Sequence, residues 1–233
     1  VETYTRPVCS ASTLPVLAKL TPNTGSMREA AEAAIRGGAS GLAAINTIKS
    51  IVGINPHTYV SYPSVHGLSA VGGYSGTAVK PIALRFISEL GKLNSEKKYH
   101  ISGMGGIETY KDALEFIMLG ANSLQITTAV MEYGYRIIDD LTTGLQLYMA
   151  EKGFIKVSEM VGLALDSLNS ADKIERDTIN YPHFIHELCV RCDRCVISCR
   201  DGGHQALSIG KESGKIVMNP KLCVGCHLCI LVC

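Results

Sequence analysis

The chain has almost no net charge. Its 22 lysines and arginines stand against 21 aspartates and glutamates, a formal +1 over 233 residues. That balance gives no bulk electrostatic reason to bind nucleic acid or an acidic membrane surface. Long apolar runs are also missing. Nothing approaches the roughly 18 apolar residues of a membrane span, and the first thirty residues hold no apolar segment behind a basic start, so no export signal is read there. Histidines at metal-ligand spacing are lacking, since His183 stands three residues before His186 in a segment read as surface. Cysteines scattered in pairs, the mark of an oxidising compartment, are lacking too. A soluble protein of the cytoplasm is expected.

What is present is concentrated at the end. Eight of the nine cysteines form two identical runs, Cys189-x2-Cys192-x2-Cys195-x3-Cys199 and Cys223-x2-Cys226-x2-Cys229-x3-Cys233. This is the ligand spacing of proteins with two 4Fe-4S clusters, in which the fourth cysteine of each run serves the other cluster. Two-residue gaps let three thiolates of one tight loop reach three irons, and the fourth comes from farther away. Cys189, Cys192, Cys195 and Cys233 are expected on one cluster, and Cys223, Cys226, Cys229 and Cys199 on the other. Zinc sites also use C-x2-C pairs, and zinc or disulfides are the rival readings, but zinc has no need of the repeated third and fourth cysteine. Arg191 stands where the second run has Gly225, a nearby positive charge that would raise the first cluster's potential. No proline follows Cys199 or Cys233, and truncation is expected where the chain stops on a ligand.

The first 150 residues read differently. Four β-type runs, 15–23, 40–47, 99–106 and 122–130, alternate with helical patterns at 27–38, 76–93 and 109–120. A further helix is expected over 131–152. Alternation of this kind implies a parallel sheet with right-handed crossovers. Polar residues and glycines sit at the strand ends, as in Lys19, Asn46–Thr47, Gly105–Gly106 and Thr127–Thr128, where barrels place their sites. Four strands make half of a (β/α)8 barrel. Three regions are expected: the half-barrel over 1–152, a connector over 153–186 and a small α+β ferredoxin-type domain over 187–233. KVSEMVGLALDSL has helical spacing, and ALSIGKESGKIVMNP reads as a hairpin. Cys9, on a helix ahead of the first strand, is expected to be inert packing.

The ordered set LAKLTPN, AAINT, GGYSGTAVKPIALRF, SGMGGIET and LQITTA, followed by the doubled cysteine runs, resembles the FMN- and iron–sulfur-containing dihydropyrimidine dehydrogenases over almost the whole chain. The resemblance implies FMN and two 4Fe-4S clusters, with NAD(P)H electrons entering through an FAD-containing iron–sulfur partner subunit. It implies a pyrimidine base as substrate, no nucleic acid, no membrane, and an oligomer. Lys19 looks like the lysine beside the flavin ring, with pairing to a carboxylate as the bland alternative. Asn46 and Thr47 resemble the substrate-binding pair, or merely cap the next turn. Gly76, Gly105 and Gly106 resemble the phosphate-binding glycines, and Thr127 and Thr128 complete that cradle. The loop from His57 to Gly73 is expected to be a structureless lid in which His66 touches substrate or stabilises the loop. The family's first half-barrel, with its catalytic cysteine, is not found here, so no catalytic residue is assigned and the chain alone is expected to be inactive. Dihydroorotate oxidation, and a bare ferredoxin-type electron carrier, are the alternative functions.

Overall fold

In the computed structural model, which describes residues 1–96, 98–175 and 177–233, the chain divides into two units, Val1–Leu168 and Asn169–Cys233. The first opens with α1 (Glu2–Ala11), β1 (Leu17–Lys19), α2 (Arg28–Arg36) and β2 (Gly41–Ala44). Short strands β3 (Ile48–Ser50), β4 (Gly53–Ile54), β5 (Ser61–Tyr62) and β6 (Gly72–Tyr74) follow. The chain returns through a 3₁₀ turn, Thr77–Val79, into α3 (Lys80–Leu93), β7 (His100–Met104), α4 (Tyr110–Met118), β8 (Ser123–Gln125), α5 (Thr128–Tyr133) and α6 (Ile137–Lys152).

Strands β1, β2, β7 and β8 form one parallel sheet in that order. Each strand is laid beside its predecessor and the order never reverses, which is the winding of a (β/α)8 barrel. A doubly wound sheet would reverse at a switch point. The expected half-barrel is therefore the observed architecture. Register fixes two faces. Ala18, Leu42 and Ile101 share one row, and Ala44, Gly103 and Leu124 another; this side packs on the helices. Lys19, Ala43, Ser102 and Ser123 share a row on the opposite side, followed by Met104 and Gln125.

With so few aromatics, the core is aliphatic around two phenylalanines. Met27, Leu42, Phe86, Ile87, Leu90, Ile101 and Phe116 are all under 2% exposed. Each such side chain contributes about 1.5–3 kcal/mol relative to exposure. Phe116 of α4 packs closely on β7 because residue 103 is glycine: a Cβ there would come within 2.7 Å of the ring. Helix α2 buries Ala31 and Ala34 and turns its charged residues outward.

Three sequence expectations are corrected. The segment His57–Gly73 is not structureless: β3 pairs with β6 and β4 with β5, an antiparallel arm closed by a turn bridging Val65 and Leu68. The single helix expected over 131–152 is two, α5 and α6, because Gly134 takes φ +77 between them. KVSEMVGLALDSL forms no α-helix; it runs as 3₁₀ turns at Val157–Glu159 and Leu165–Ser167, with Met160 fully buried against Leu114 and Ile117.

The second unit contains α7 (Arg194–Asp201), β9 (Leu207–Ile209), β10 (Ile216–Met218) and α8 (Leu228–Leu231). The expected hairpin is the antiparallel pair β9–β10. Its core is Ala206, Leu207 and Ile216 together with two cysteines, Cys199 and Cys229. No helix among the described residues is long and apolar enough to cross a membrane.

Candidate functional site

A cavity of about 210 Å³ opens at the C-terminal ends of the sheet strands. Lys19, Asn46, Thr47, Gly76, Gly105, Gly106, Thr127 and Thr128 all line it, so the fold brings together the residues expected to bind flavin and substrate, His66 excepted. Two hydrogen bonds beyond the strands hold its rim: the Ile45 N–H donates to the Met104 carbonyl and the Asn46 N–H to the Leu20 carbonyl, both at 3.0 Å. Lys19 ends β1, and no hydrogen bond or ion pair engages its side chain among the described residues. The carboxylate partner of the bland reading is thus missing, and a free ammonium faces the cavity.

Asn46 is partly committed. Its Oδ1 accepts from the Thr47 N–H at 2.9 Å, which is the turn-capping role, while Nδ2 stays available as a donor. The pair is held in place by Asn23, which sequence reasoning passed over. Asn23 Nδ2 donates to the Thr47 carbonyl at 3.2 Å and to Thr21 Oγ1 at 2.8 Å, and its Oδ1 accepts from the Lys49 N–H at 2.8 Å. The TPN triplet after β1 was the available signal, because an asparagine just past a strand end can tie two loops through both ends of its amide.

The glycine loops interlock. Gly76, Gly105 and Gly106 have φ of +87, +123 and +82. A Cβ on Gly106 would lie 2.8 Å from the Gly76 carbonyl and 2.9 Å from Lys80 Cβ, so only glycine permits this approach and leaves backbone N–H groups uncovered by side chains. Thr128 Oγ1 donates to Ser75 Oγ at 3.1 Å, closing the cradle on the other side; Ser75 was also missed. Behind the cradle, Lys80 pairs with Asp112 at 2.5 Å and Glu115 at 2.8 Å. The hydrogen bond to Asp112, then that to Glu115, raise the lysine above its ordinary range. Burial, then the Glu132 and Asp112 carboxylates, push Glu108 up at the cavity wall. His66 lies apart, at φ +51 in the turn of the arm, and does not line the cavity.

In the second unit the thiols gather in two cavities. Cys189, Cys192, Cys195 and Cys233 line one of about 320 Å³, together with Cys229. Cys199, Cys223, Cys226 and Cys229 line the other. Arg191, at φ +55, makes the same left-handed bend as Gly225 at φ +70. His183 is exposed, and Cys9 is half-buried on α1.

Residues 2–149 match the family described as dihydroorotate dehydrogenase. The chain belongs to that family. Residues 183–233 match the 4Fe-4S dicluster domain. Among curated relatives, the NAD-dependent dihydropyrimidine dehydrogenase subunit PreA of Escherichia coli (strain K12) is 52% identical over 213 residues, 91% of this chain and 52% of its own. The catalytic subunit of dihydroorotate dehydrogenase B (NAD(+)) from Pyrococcus horikoshii is 42% identical over 151 residues, 65% of this chain and 47% of its own. The chain spans about half the length of these relatives. In structure, the DHODH of Eimeria tenella in complex with ferulenol superposes with a TM-score of 0.52 at 26% identity, covering 64% of this chain and 38% of that one.

Proposed function

We propose that the chain carries the flavin site and a cluster pair of a cytoplasmic, NAD(P)H-dependent dihydropyrimidine dehydrogenase, which assembles with an FAD-bearing iron–sulfur partner subunit and takes uracil or thymine as substrate. The observation that carries this reading is the union, in one chain, of a barrel-mouth cavity and a dicluster domain. The likeness to the Escherichia coli subunit extends over 91% of the chain, while that to the dihydroorotate enzyme covers 65% and is too short to take in both units.

The cavity's residues fit FMN. The interlocked glycine loops offer N–H groups to a phosphate. Lys19 places an unpaired cation where negative charge on a reduced ring would be stabilised, and for the substrate Asn46 Nδ2 can donate to a carbonyl of the pyrimidine. The thiols fit cubanes better than zinc. A zinc ion is satisfied by four ligands about 2.3 Å away and gives no reason for the x2-x2-x3 spacing to recur in both runs, which is the spacing of paired cubanes. Cys189, Cys192, Cys195 and Cys233 would hold one cluster, and Cys199, Cys223, Cys226 and Cys229 the other.

When bound, FMN supplies hydride exchange with the C5–C6 bond of the pyrimidine and single-electron exchange with the clusters. The chain's own residues bind and orient. Gly76, Gly105, Gly106 and Thr128 fix the phosphate end, Lys19 sets the charge at the ring end, and Asn46 with Thr47 positions the base. The proton delivered to C5 is assigned to no residue of this chain.

The test is anaerobic purification of the full-length protein with its electron-donor partner. About one FMN per eight irons and NADH-driven reduction of uracil in preference to orotate are expected. Preference for orotate would move the protein to dihydroorotate chemistry, and iron without flavin would leave an electron carrier.

A further inference from the structure

On the side of the sheet turned away from the helices, a chain of side-chain hydrogen bonds ends at the cavity. It starts at His100, whose Nε2 lies 2.8 Å from Ser123 Oγ. The Ser123 hydroxyl donates to Ser102 Oγ at 3.1 Å, and Gln125 Nε2 donates to the same oxygen at 2.9 Å. Ser102 is only 2% exposed and is one of three buried polar residues among those described. A hydroxyl in such a place costs free energy unless bonded, and an apolar side chain would pack there without that cost. Two donors converging on one buried oxygen are therefore a specific arrangement.

Its effect falls on Gln125. A glutamine carboxamide on a strand end ordinarily turns freely, but here its nitrogen end is tied down by Ser102. The oxygen end, Oε1, has no partner among the described residues, and Gln125 lines the cavity with Lys19, Asn46 and Thr47. The cavity already offers donors in Lys19 and Asn46 Nδ2, and this amide oxygen, fixed through its nitrogen end, sets an ordered, uncharged acceptor beside them. An imide ring, C(O)–NH–C(O), needs one acceptor set among donors.

We propose that Gln125 is a ligand-contacting residue whose Oε1 accepts from an imide N–H, and that Ser102 is the residue that positions it. The inference rests on the flavin and pyrimidine reading above. The flavin ring and uracil both carry this imide, and the experiment separates them.

In the full-length protein, Gln125→Leu removes the acceptor at similar volume. The loss of one hydrogen bond to the imide is expected to weaken binding by about tenfold. If the source is flavin, the dissociation constant of FMN rises and its absorption bands shift. If the source is the pyrimidine, FMN binding is unchanged and the uracil dissociation constant rises at saturating flavin. Ser102→Ala is expected to weaken the same ligand by about threefold, and Ser102→Thr, which keeps the hydroxyl, to recover it. A merely structural serine would change the melting temperature without this ligand-selective pattern. Gln125→Asn, which withdraws the amide by one methylene, repeats the test should the leucine variant not fold. FMN and uracil constants that both stay within twofold in a flavin-binding protein overturn the inference alone. A wild-type protein that binds no flavin overturns the functional reading and the inference with it.

Discussion

Replacing Asp112 by alanine tests whether the glycine cradle is held from behind. Asp112 is 8% exposed. Its Oδ2 accepts from the Glu108 N–H at 3.1 Å, the Thr109 N–H at 2.7 Å and Thr109 Oγ1 at 2.9 Å, while Oδ1 accepts from Lys80 Nζ at 2.5 Å. The Asp112 N–H in turn donates to Thr109 Oγ1 at 3.3 Å, so the two form the capping box of α4. Loss of the box costs about 1 kcal/mol. The Glu108 and Thr109 N–H groups, left part-buried without acceptors, add about 1–2 kcal/mol. Lys80 keeps Glu115, so the ion pair loses at most about 1 kcal/mol. The sum is about 2–4 kcal/mol. With a urea slope of about 2 kcal/mol/M, the unfolding midpoint of the barrel unit, followed by circular dichroism, should fall by about 1–2 M. Asp112→Asn keeps an acceptor and should cost less than half as much. The pH dependence has a defined sign. Burial by itself raises the Asp112 carboxyl, but Lys80 and the Thr109 and Glu108 N–H groups outweigh it and hold it below its ordinary value. Its contribution is then present above the unfolded pKa of about 3.9 and fades as pH falls through the lower folded value. The advantage of wild type over Asp112→Asn should therefore persist from neutral pH down to about 5 and shrink below 4. A loss under about 0.5 kcal/mol for Asp112→Ala would refute the reasoning.

Three other outcomes are expected. Cys226→Ser should remove one cluster and destabilise the other, since each run lends its fourth cysteine, Cys199 or Cys233, to the cluster of the other run; iron counting and voltammetry check this, and one intact cluster of unchanged potential would contradict it. Gly106→Ala should place a methyl 2.8 Å from the Gly76 carbonyl at φ +82, and the left-handed backbone alone costs about 1–2 kcal/mol. FMN affinity measured by fluorescence quenching should drop at least tenfold, and an unchanged constant would remove the cradle from the site. Lys19→Met breaks no ion pair among the described residues, so stability should hold within about 0.5 kcal/mol while the flavin midpoint potential falls in spectroelectrochemistry. A stability loss above about 1.5 kcal/mol would mark Lys19 as structural.

The half-barrel was legible because its signals are local. Apolar strand runs end in lysine, asparagine, glycine and threonine, and the cysteine spacing is a short-range count. What failed depended on distant partners. The strands of the arm are only two or three residues long and contain too little alternation to show a period, so their pairing appears only when the ends meet. KVSEMVGLALDSL has helical spacing, but Gly162 takes φ +86, and Leu165 lies where a Cβ on Gly91 would touch it at 3.2 Å. Docking on the half-barrel thus overrides the local preference. Asn23, Ser75 and Gln125 were missed for a related reason: each works through a hydrogen bond to a residue far along the chain.

Parity along β7 and β8 links the fold to the site. Ile101 and Leu124 lie on the helix-packed face, while Ser102, Ser123 and Gln125 alternate with them on the other. A slip of one residue in either strand would exchange these sets, exposing Ile101 and driving Ser102 into the layer held by Phe86 and Phe116. The free energy that prevents the slip comes from burying Ile101, Phe116 and their neighbours, and it amounts to several kcal/mol at about 1.5–3 kcal/mol per side chain. The hydrogen bond from Gln125 to Ser102 contributes about 1 kcal/mol, too little to set the register itself. The core therefore determines which way the polar groups face, and the polar groups decide only what the cavity can hold. Ser102→Ala should accordingly leave the register and the glycine cradle in place while releasing the Gln125 amide, so any change in ligand affinity that it causes reports orientation and not folding.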